Sequence, residues 1–93
     1  MKLLWSTDAW KDCLYWQGNY GDVLRRINAL LQDIRRSPVK GIGKPEPLRG
    51  DLALWWSRRI TGDHRIVYRI RGSGEEQRVE IATCRYHYSG RRR

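Results

Sequence analysis

Cysteine, acidic side chains and long apolar runs are the scarce features of this 93-residue chain. Cys13 and Cys84 are the only cysteines, and neither belongs to a Cys-x-x-Cys pair or a Cys/His ligand set, which argues against a zinc site. Both fall among apolar neighbours and read as small core residues. A bond between them stays an open alternative, although two cysteines are no disulfide framework. No apolar stretch approaches the roughly 18 residues of a membrane span. Asp8, Lys11 and Asp12 interrupt the N-terminal run where a signal peptide would keep its apolar centre, so a cytoplasmic protein is expected. There is no carboxylate cluster to hold a hard cation, and no cofactor is expected. Gly41-Ile42-Gly43-Lys44 lacks both the spacing and the strand–loop–helix setting of a phosphate-binding loop.

What is abundant is positive charge. Nineteen Lys and Arg oppose ten Asp and Glu, a net charge of +9. Residues 1–36 hold six basic and four acidic side chains, whereas residues 37–93 hold thirteen and six. The excess is therefore concentrated in the later part of the chain. Such a field draws polyanions, nucleic acid first among them, although a merely basic small protein would show the same numbers. The length fits one domain with one core, made by helices covering a sheet.

Lys2-Leu3-Leu4-Trp5 reads as a first strand, and Ser6 as the cap of a helix with Asp8 in its first turn. Trp10, Cys13, Leu14 and Gln17 follow helical spacing, as do Ala9, Cys13 and Trp16; Gly18 and Gly21 break the helix. A second helix opens at Asp22. Its stripe is Val23, Ile27, Leu30, Leu31 and Ile34, its wet face Arg25, Gln32, Asp33 and Arg36, and Ser37-Pro38 stops it. Pro38 to Gly50 is a loop in which Glu46 stands between Pro45 and Pro47 on stiff, extended backbone. By itself that residue reads as a solvated loop carboxylate.

Residues 56–70 read as a β-hairpin turning at Gly62-Asp63. Alternation sets Ile66, Tyr68 and Ile70 on one face and Arg65, Val67 and Arg69 on the other, with Arg59 beside Ser57 and Ile60 beside Trp56. After a polar loop at 71–77, Arg78 to Tyr86 reads as a further strand. If Ala82, Cys84 and Tyr86 join Ile66 and Tyr68 in the core, Arg85 and His87 share the face of Arg65 and Arg59. Glu46, Arg59, Arg65 and His87 on one basic face would suit RNA cleavage by its own 2′-hydroxyl. A carboxylate takes the hydroxyl proton, an imidazole protonates the leaving 5′-oxygen, and guanidinium groups hold the charged phosphorane. Tyr86 and Tyr88 could stack on an unpaired base. His64, after the turn, reads as a structural or rim residue. The same residues would equally fit a phosphate-binding surface without chemistry.

Gly43-Lys44-Pro45-Glu46-Pro47-Leu48, Trp56-Ser57-Arg58-Arg59-Ile60-Thr61, His64-Arg65-Ile66-Val67-Tyr68 and Arg85-Tyr86-His87-Tyr88 closely resemble the motifs of the YoeB toxins, within the RelE/ParE superfamily. The likeness also covers Lys2 to Ser6, Trp10, Tyr15 to Gln17 and Arg35 to Pro38, so it spans residues 1–88 as one domain and leaves 89–93 as a basic tail. The resemblance implies an α+β fold, two N-terminal helices packed on one face of a twisted antiparallel β-sheet. It implies a ribosome-dependent endoribonuclease cutting mRNA in the ribosomal A site, inhibited by a YefM-type antitoxin. It further implies a homodimer and operator binding only through the antitoxin. Carried over by motif, Glu46 is the general base, His87 the general acid and Arg65 the transition-state stabiliser. Arg59 assists at the phosphate, Tyr88 orients mRNA or the acid, and Lys44, Arg49 and Arg85 are further substrate contacts. This chain departs from the pattern in the Ser89-Gly90-Arg91-Arg92-Arg93 extension, a longer loop at 71–77, and Leu54-Trp55 where relatives more often carry Gly-aromatic. A non-catalytic ribosome- or nucleic-acid-binding module, an inactive toxin and a ParE-like gyrase inhibitor are the competing readings.

Overall fold

A computed structural model describes residues 1–86. His87, Tyr88 and the tail 89–93 lie outside the described residues. Strand β1 (Lys2–Trp5) is followed by helices α1 (Thr7–Asn19) and α2 (Gly21–Arg36), then strands β2 (Glu46–Pro47), β3 (Trp56–Arg59), β4 (Arg65–Arg71) and β5 (Arg78–Thr83). They form one five-stranded sheet in the order β1-β5-β4-β3-β2. The α+β class is as expected, with one refinement: β1 runs parallel to β5, while the other pairs are antiparallel, so the sheet is mixed.

Local chemistry explains the helix ends. The Ser6 hydroxyl accepts from the Ala9 N–H at 2.9 Å and so caps α1. Gly18 stays inside α1, and the chain breaks only at Tyr20, whose extended φ of −143° separates the helices. Of the two α1 stripes, Ala9, Cys13 and Trp16 are buried, whereas Trp10 and Leu14 are each 48% exposed. Ile27, Leu30 and Ile34 of α2 close the core against Ile60, Ile66, Tyr68, Val79 and Ile81. Cys13 and Cys84 are both buried, and no disulfide joins them. No helix among the described residues is long and apolar enough to cross a membrane.

Three expectations need correction. Asp33 is not on the wet face but buried, 6% exposed, because a guanidinium comes up from the sheet to meet it. The strand at 78–86 does not keep one phase either. Tyr68 pairs with Ile81 but Val67 with Thr83, so Ala82 is an extra residue, a β-bulge. Val79 and Ile81 therefore face the core, and past the bulge so does Cys84, while Tyr86 is 46% exposed rather than buried. Helix α1 holds the bulge in place. The Ser6 hydroxyl donates to the Ala82 carbonyl at 2.7 Å, the Asp12 carboxylate accepts from the Cys84 N–H at 3.0 Å, and the Trp16 indole donates to the Cys84 carbonyl at 2.8 Å. Third, Arg85 does not share the face of Arg59 and Arg65. The strand ends at Thr83, and the Arg85 guanidinium lies 3.5 Å from the Tyr15 ring centre, on the helix side.

Leu54 adopts φ +82° and is 80% exposed. A left-handed backbone penalises a β-carbon by roughly 1–2 kcal/mol, and glycine gives part of that back in chain entropy. Leu54→Gly should thus raise stability by about 0.5–1 kcal/mol in urea denaturation; a loss of stability would show that the leucine side chain contributes packing.

Candidate functional site

Register sets the geometry of the sheet face turned away from the helices. Glu46 pairs with Ser57 and Ser57 with Val67, forming one cross-strand row; Arg59 pairs with Arg65 in the next. Side chains alternate, and Arg58, Ile66 and Tyr68 point to the core, so Glu46, Ser57, Arg59 and Arg65 share the opposite face. Directly opposed residues stand about 5 Å apart and diagonal ones about 7–8 Å, so Glu46 is within a side chain's reach of Arg59, and Arg59 of Arg65. Glu46 and Arg59 are exposed. Arg65 is half-buried, and its Nη1 donates to the carbonyls of Thr61, Gly62 and His64 at 2.9, 3.2 and 3.1 Å, which braces the guanidinium against the hairpin turn. Lys44 and Arg49 flank Glu46 along the chain, both exposed; Glu46, Pro47, Leu48 and Arg49 line a shallow hollow of about 380 Å³. His87 and Tyr88 lie outside the described residues, so the geometry here concerns Glu46, Arg59 and Arg65.

The loop that delivers Glu46 is anchored from below by Arg58, which the sequence reading passed over. Its side chain is fully buried. Nε donates to the Tyr68 hydroxyl at 3.1 Å, Nη1 to Asp33 Oδ2 at 2.6 Å and to the Ile42 carbonyl at 3.1 Å, and Nη2 to the carbonyls of Ser37 and Lys40 at 2.6 and 2.8 Å. Tyr68 in turn donates to the Pro38 carbonyl at 2.7 Å. Burial pushes the Tyr68 hydroxyl above its ordinary pKa. Asp33 also accepts the Ile42 N–H at 2.9 Å. Gly41 is required in this knot: its φ is +123°, and a β-carbon there would lie 1.9 Å from Asp33 Oδ2. The Gly43 carbonyl then accepts the Arg59 N–H at 2.6 Å, and three residues on Glu46 joins the sheet.

Hydrogen bonds from Arg36 and Arg58, helped by the Ile42 N–H, hold the Asp33 carboxyl at about 2, against 3.8 ordinarily. A lowered folded-state pKa means stability that is fully present above the unfolded value and is lost as pH falls toward the folded one. Unfolding free energy should therefore decline between pH 4 and pH 2, and Asp33→Asn should flatten that slope in acid denaturation curves. Glu80 is also lowered, by Arg69 first and Arg78 second, and adds to the same acid limb.

His64 does more than line a rim. Its Nδ1 accepts the Tyr86 N–H at 2.6 Å, so that nitrogen carries no proton here, and its ring meets Trp16 edge-on at 4.8 Å between centres. Tyr86, at φ +64°, returns its carbonyl to the Arg65 N–H at 3.1 Å. Tyr86 is thus tied to Arg65 at its carbonyl and to His64 at its N–H. An asparagine Oδ1 sits roughly where Nδ1 does, whereas alanine has no acceptor. His64→Ala should lose about 1–2 kcal/mol in thermal or urea unfolding and His64→Asn markedly less; equal losses would show that only the ring contact matters.

The family profile of YoeB-like toxins of bacterial type II toxin–antitoxin systems matches residues 5–88. The chain belongs to the YoeB toxin family. Toxin YoeB of Escherichia coli K12 is 49% identical over 88 residues, covering 95% of this chain and all of the relative. The YoeB/ParE toxin of Agrobacterium tumefaciens superposes with a TM-score of 0.92 at 51% identity, over 95% of this chain and 100% of that one. YoeB from Staphylococcus aureus, 38% identical over 95% of this chain and 98% of its own, has been solved as a dimer and in a heterotetrameric complex with YefM, with TM-scores of 0.82 and 0.84. The protein is accordingly a type II toxin–antitoxin toxin of the YoeB kind.

Proposed function

We propose that the protein is a ribosome-dependent endoribonuclease that cuts mRNA in the ribosomal A site and so arrests translation. The supporting observation is the register that gives Glu46, Arg59 and Arg65 one sheet face. Glu46 removes the proton of the 2′-hydroxyl, whose oxygen attacks the adjacent phosphorus. Negative charge grows on the non-bridging oxygens, where Arg65, with Arg59 beside it, supplies forked donors. His87, protonated, gives its proton to the departing 5′-oxygen, leaving a 2′,3′-cyclic phosphate and a free 5′-hydroxyl. Tyr88 orients the mRNA or the acid, and Lys44 and Arg49 hold flanking phosphates. Base, acid and counter-charge all come from side chains, so no metal is required. In the cytoplasm the toxin forms a homodimer and is neutralised by an antitoxin of the YefM kind, through which it reaches operator DNA. The solved complex of the Staphylococcus aureus relative supports that partner.

Primer extension on mRNA translated by purified ribosomes tests the activity. Discrete A-site cuts are expected, reduced about 10²–10⁴-fold by His87→Gln with the fold intact by circular dichroism. Tight ribosome binding without scission would replace this reading with that of a non-catalytic binding module, and loss of DNA supercoiling activity by gyrase would favour a ParE-like one.

A further inference from the structure

Behind the hairpin turn, on the helix side, five aromatic rings and one guanidinium form a circuit of contacts that lines a cavity of about 390 Å³. Tyr15 meets Tyr20 at 5.8 Å between ring centres, Tyr20 meets Trp16 at 5.6 Å, Trp16 meets His64 at 4.8 Å, and His64 meets Tyr86 at 5.4 Å. Arg85 completes it, 4.6 Å from the Tyr86 centre and 3.5 Å from that of Tyr15. Tyr15 and Trp16 also meet edge-on at 5.1 Å, so the rings pack on one another and together line the cavity, whose size suits one small ligand; Tyr20 and Tyr86 remain 49% and 46% exposed. Stacking walls of this kind take a flat, electron-rich ring, and an arginine held between two tyrosines is already oriented. One carboxylate, Asp63, lines the mouth; it is exposed and belongs to no ion pair among the described residues.

We propose that this cavity is a nucleobase subsite with a preference for guanine, holding a nucleotide next to the one whose phosphate is cut. The inference rests on the reading of the protein as an RNA-cleaving toxin. Asp63 selects the base. A carboxylate has two acceptor oxygens, and guanine alone offers it adjacent N1–H and N2–H donors on its Watson–Crick edge. Adenine and cytosine each present one amino group beside a repelling ring acceptor, and uracil a single N–H between two carbonyls. The subsite adjoins the proposed cleavage face through two bonds already described. His64 precedes Arg65 in the chain, and the Tyr86 carbonyl accepts the Arg65 N–H. An unpaired strand crossing the end of the hairpin could thus put one phosphate at Arg65 and the next base among the rings.

The test needs no cleavage. The Trp16 indole N–H, held on the Cys84 carbonyl, gives a nuclear magnetic resonance probe inside the circuit. Titrating the full chain with each of the four nucleoside 5′-monophosphates should move that signal saturably, with GMP binding about tenfold or more tighter than AMP, as one good bidentate contact provides. Asp63→Asn should abolish the preference, and Tyr20→Ala should weaken all four; both positions are exposed, so the fold should survive. Glu46→Gln should leave GMP binding unchanged. An unmoved Trp16 signal, equal affinity for all bases, or a preference that survives Asp63→Asn overturns the subsite. Ribosomal cleavage with an unmoved signal overturns the subsite alone, whereas guanine-selective binding without cleavage overturns the nuclease reading and keeps the subsite.

Discussion

Arg65→Ala should slow A-site mRNA cleavage by about 10²–10³-fold, a loss read in single-turnover rates rather than in ribosome affinity. Phosphoryl charge grows between ground state and transition state, so a donor aimed at the non-bridging oxygens acts mainly on the rate, and deleting one such donor typically costs that factor. Lysine keeps the charge but loses the fork and its fixed plane, so Arg65→Lys should recover only part of the rate. Arg59→Ala should cost less, because Arg59 stands one strand nearer the edge and assists rather than centres the contact. Arg65 also braces the turn through the carbonyls of Thr61, Gly62 and His64. Melting curves must therefore accompany the rates: a large rate loss with a nearly unchanged melting temperature assigns the effect to chemistry. If Arg65→Ala cleaves at the wild-type single-turnover rate, the guanidinium has no part in stabilising the phosphorane, and the proposed division of roles fails.

How much of this was legible in the chain depends on whether a feature is periodic. The hairpin is readable because β-branched residues and arginines flank Gly62-Asp63 at period two, and the shared face of Arg59 and Arg65 holds, but the register is not readable: a two-residue turn at Gly62-Asp63 would set Arg59 opposite Ile66, whereas Arg59 pairs with Arg65 around a three-residue connection closed by the Ile60 N–H on the His64 carbonyl. Helix α2 was readable for the same reason at period 3.6. The bulge at Ala82 is not, since one inserted residue leaves no trace in composition yet reverses the phase of everything before it: strict alternation from Ala82 and Cys84 in the core would turn Val79 and Ile81 outward, whereas both are buried. Arg58 is a different kind of miss. It lies between Trp56 and Ile60 on the core face, and Asp33 lies among Leu30, Leu31 and Ile34, so both phases pointed inward. Polarity overruled periodicity in each case, and only the two read together, an inward acid and an inward base, would have revealed the pair. Glu46 took its importance from family resemblance, because a carboxylate between two prolines has no chemical meaning until the sheet register brings arginines beside it. His64 gave no signal, since its partner is a backbone N–H.

Arg58→Ala should be among the most damaging single substitutions in the domain, lowering stability by about 3–5 kcal/mol in urea denaturation, enough to unfold much of a small protein near body temperature. The side chain is wholly enclosed and donates five hydrogen bonds; its removal leaves the Asp33 carboxylate with only Arg36 and the Ile42 N–H, and takes from the carbonyls of Ser37, Lys40 and Ile42 the buried donor they share. A second variant separates the ion pair from the loop clamp. Buried ion pairs can often be replaced by apolar side chains at little cost, so if the pair alone mattered, Asp33→Leu with Arg58→Met would restore stability. Here it should restore little, because a methionine donates nothing to the three loop carbonyls and a leucine no longer accepts the Ile42 N–H. The loop from Ser37 to Gly43 would loosen, and with it the Gly43 carbonyl that accepts the Arg59 N–H and the short run from Lys44 into Glu46. Amide exchange should then speed up at Ile42 and Arg59 while the α2 core amides stay protected. Full recovery of stability in the double variant, with protection at Arg59 unchanged, would mean that the loop finds its place without the clamp and that Arg58 serves only to neutralise Asp33.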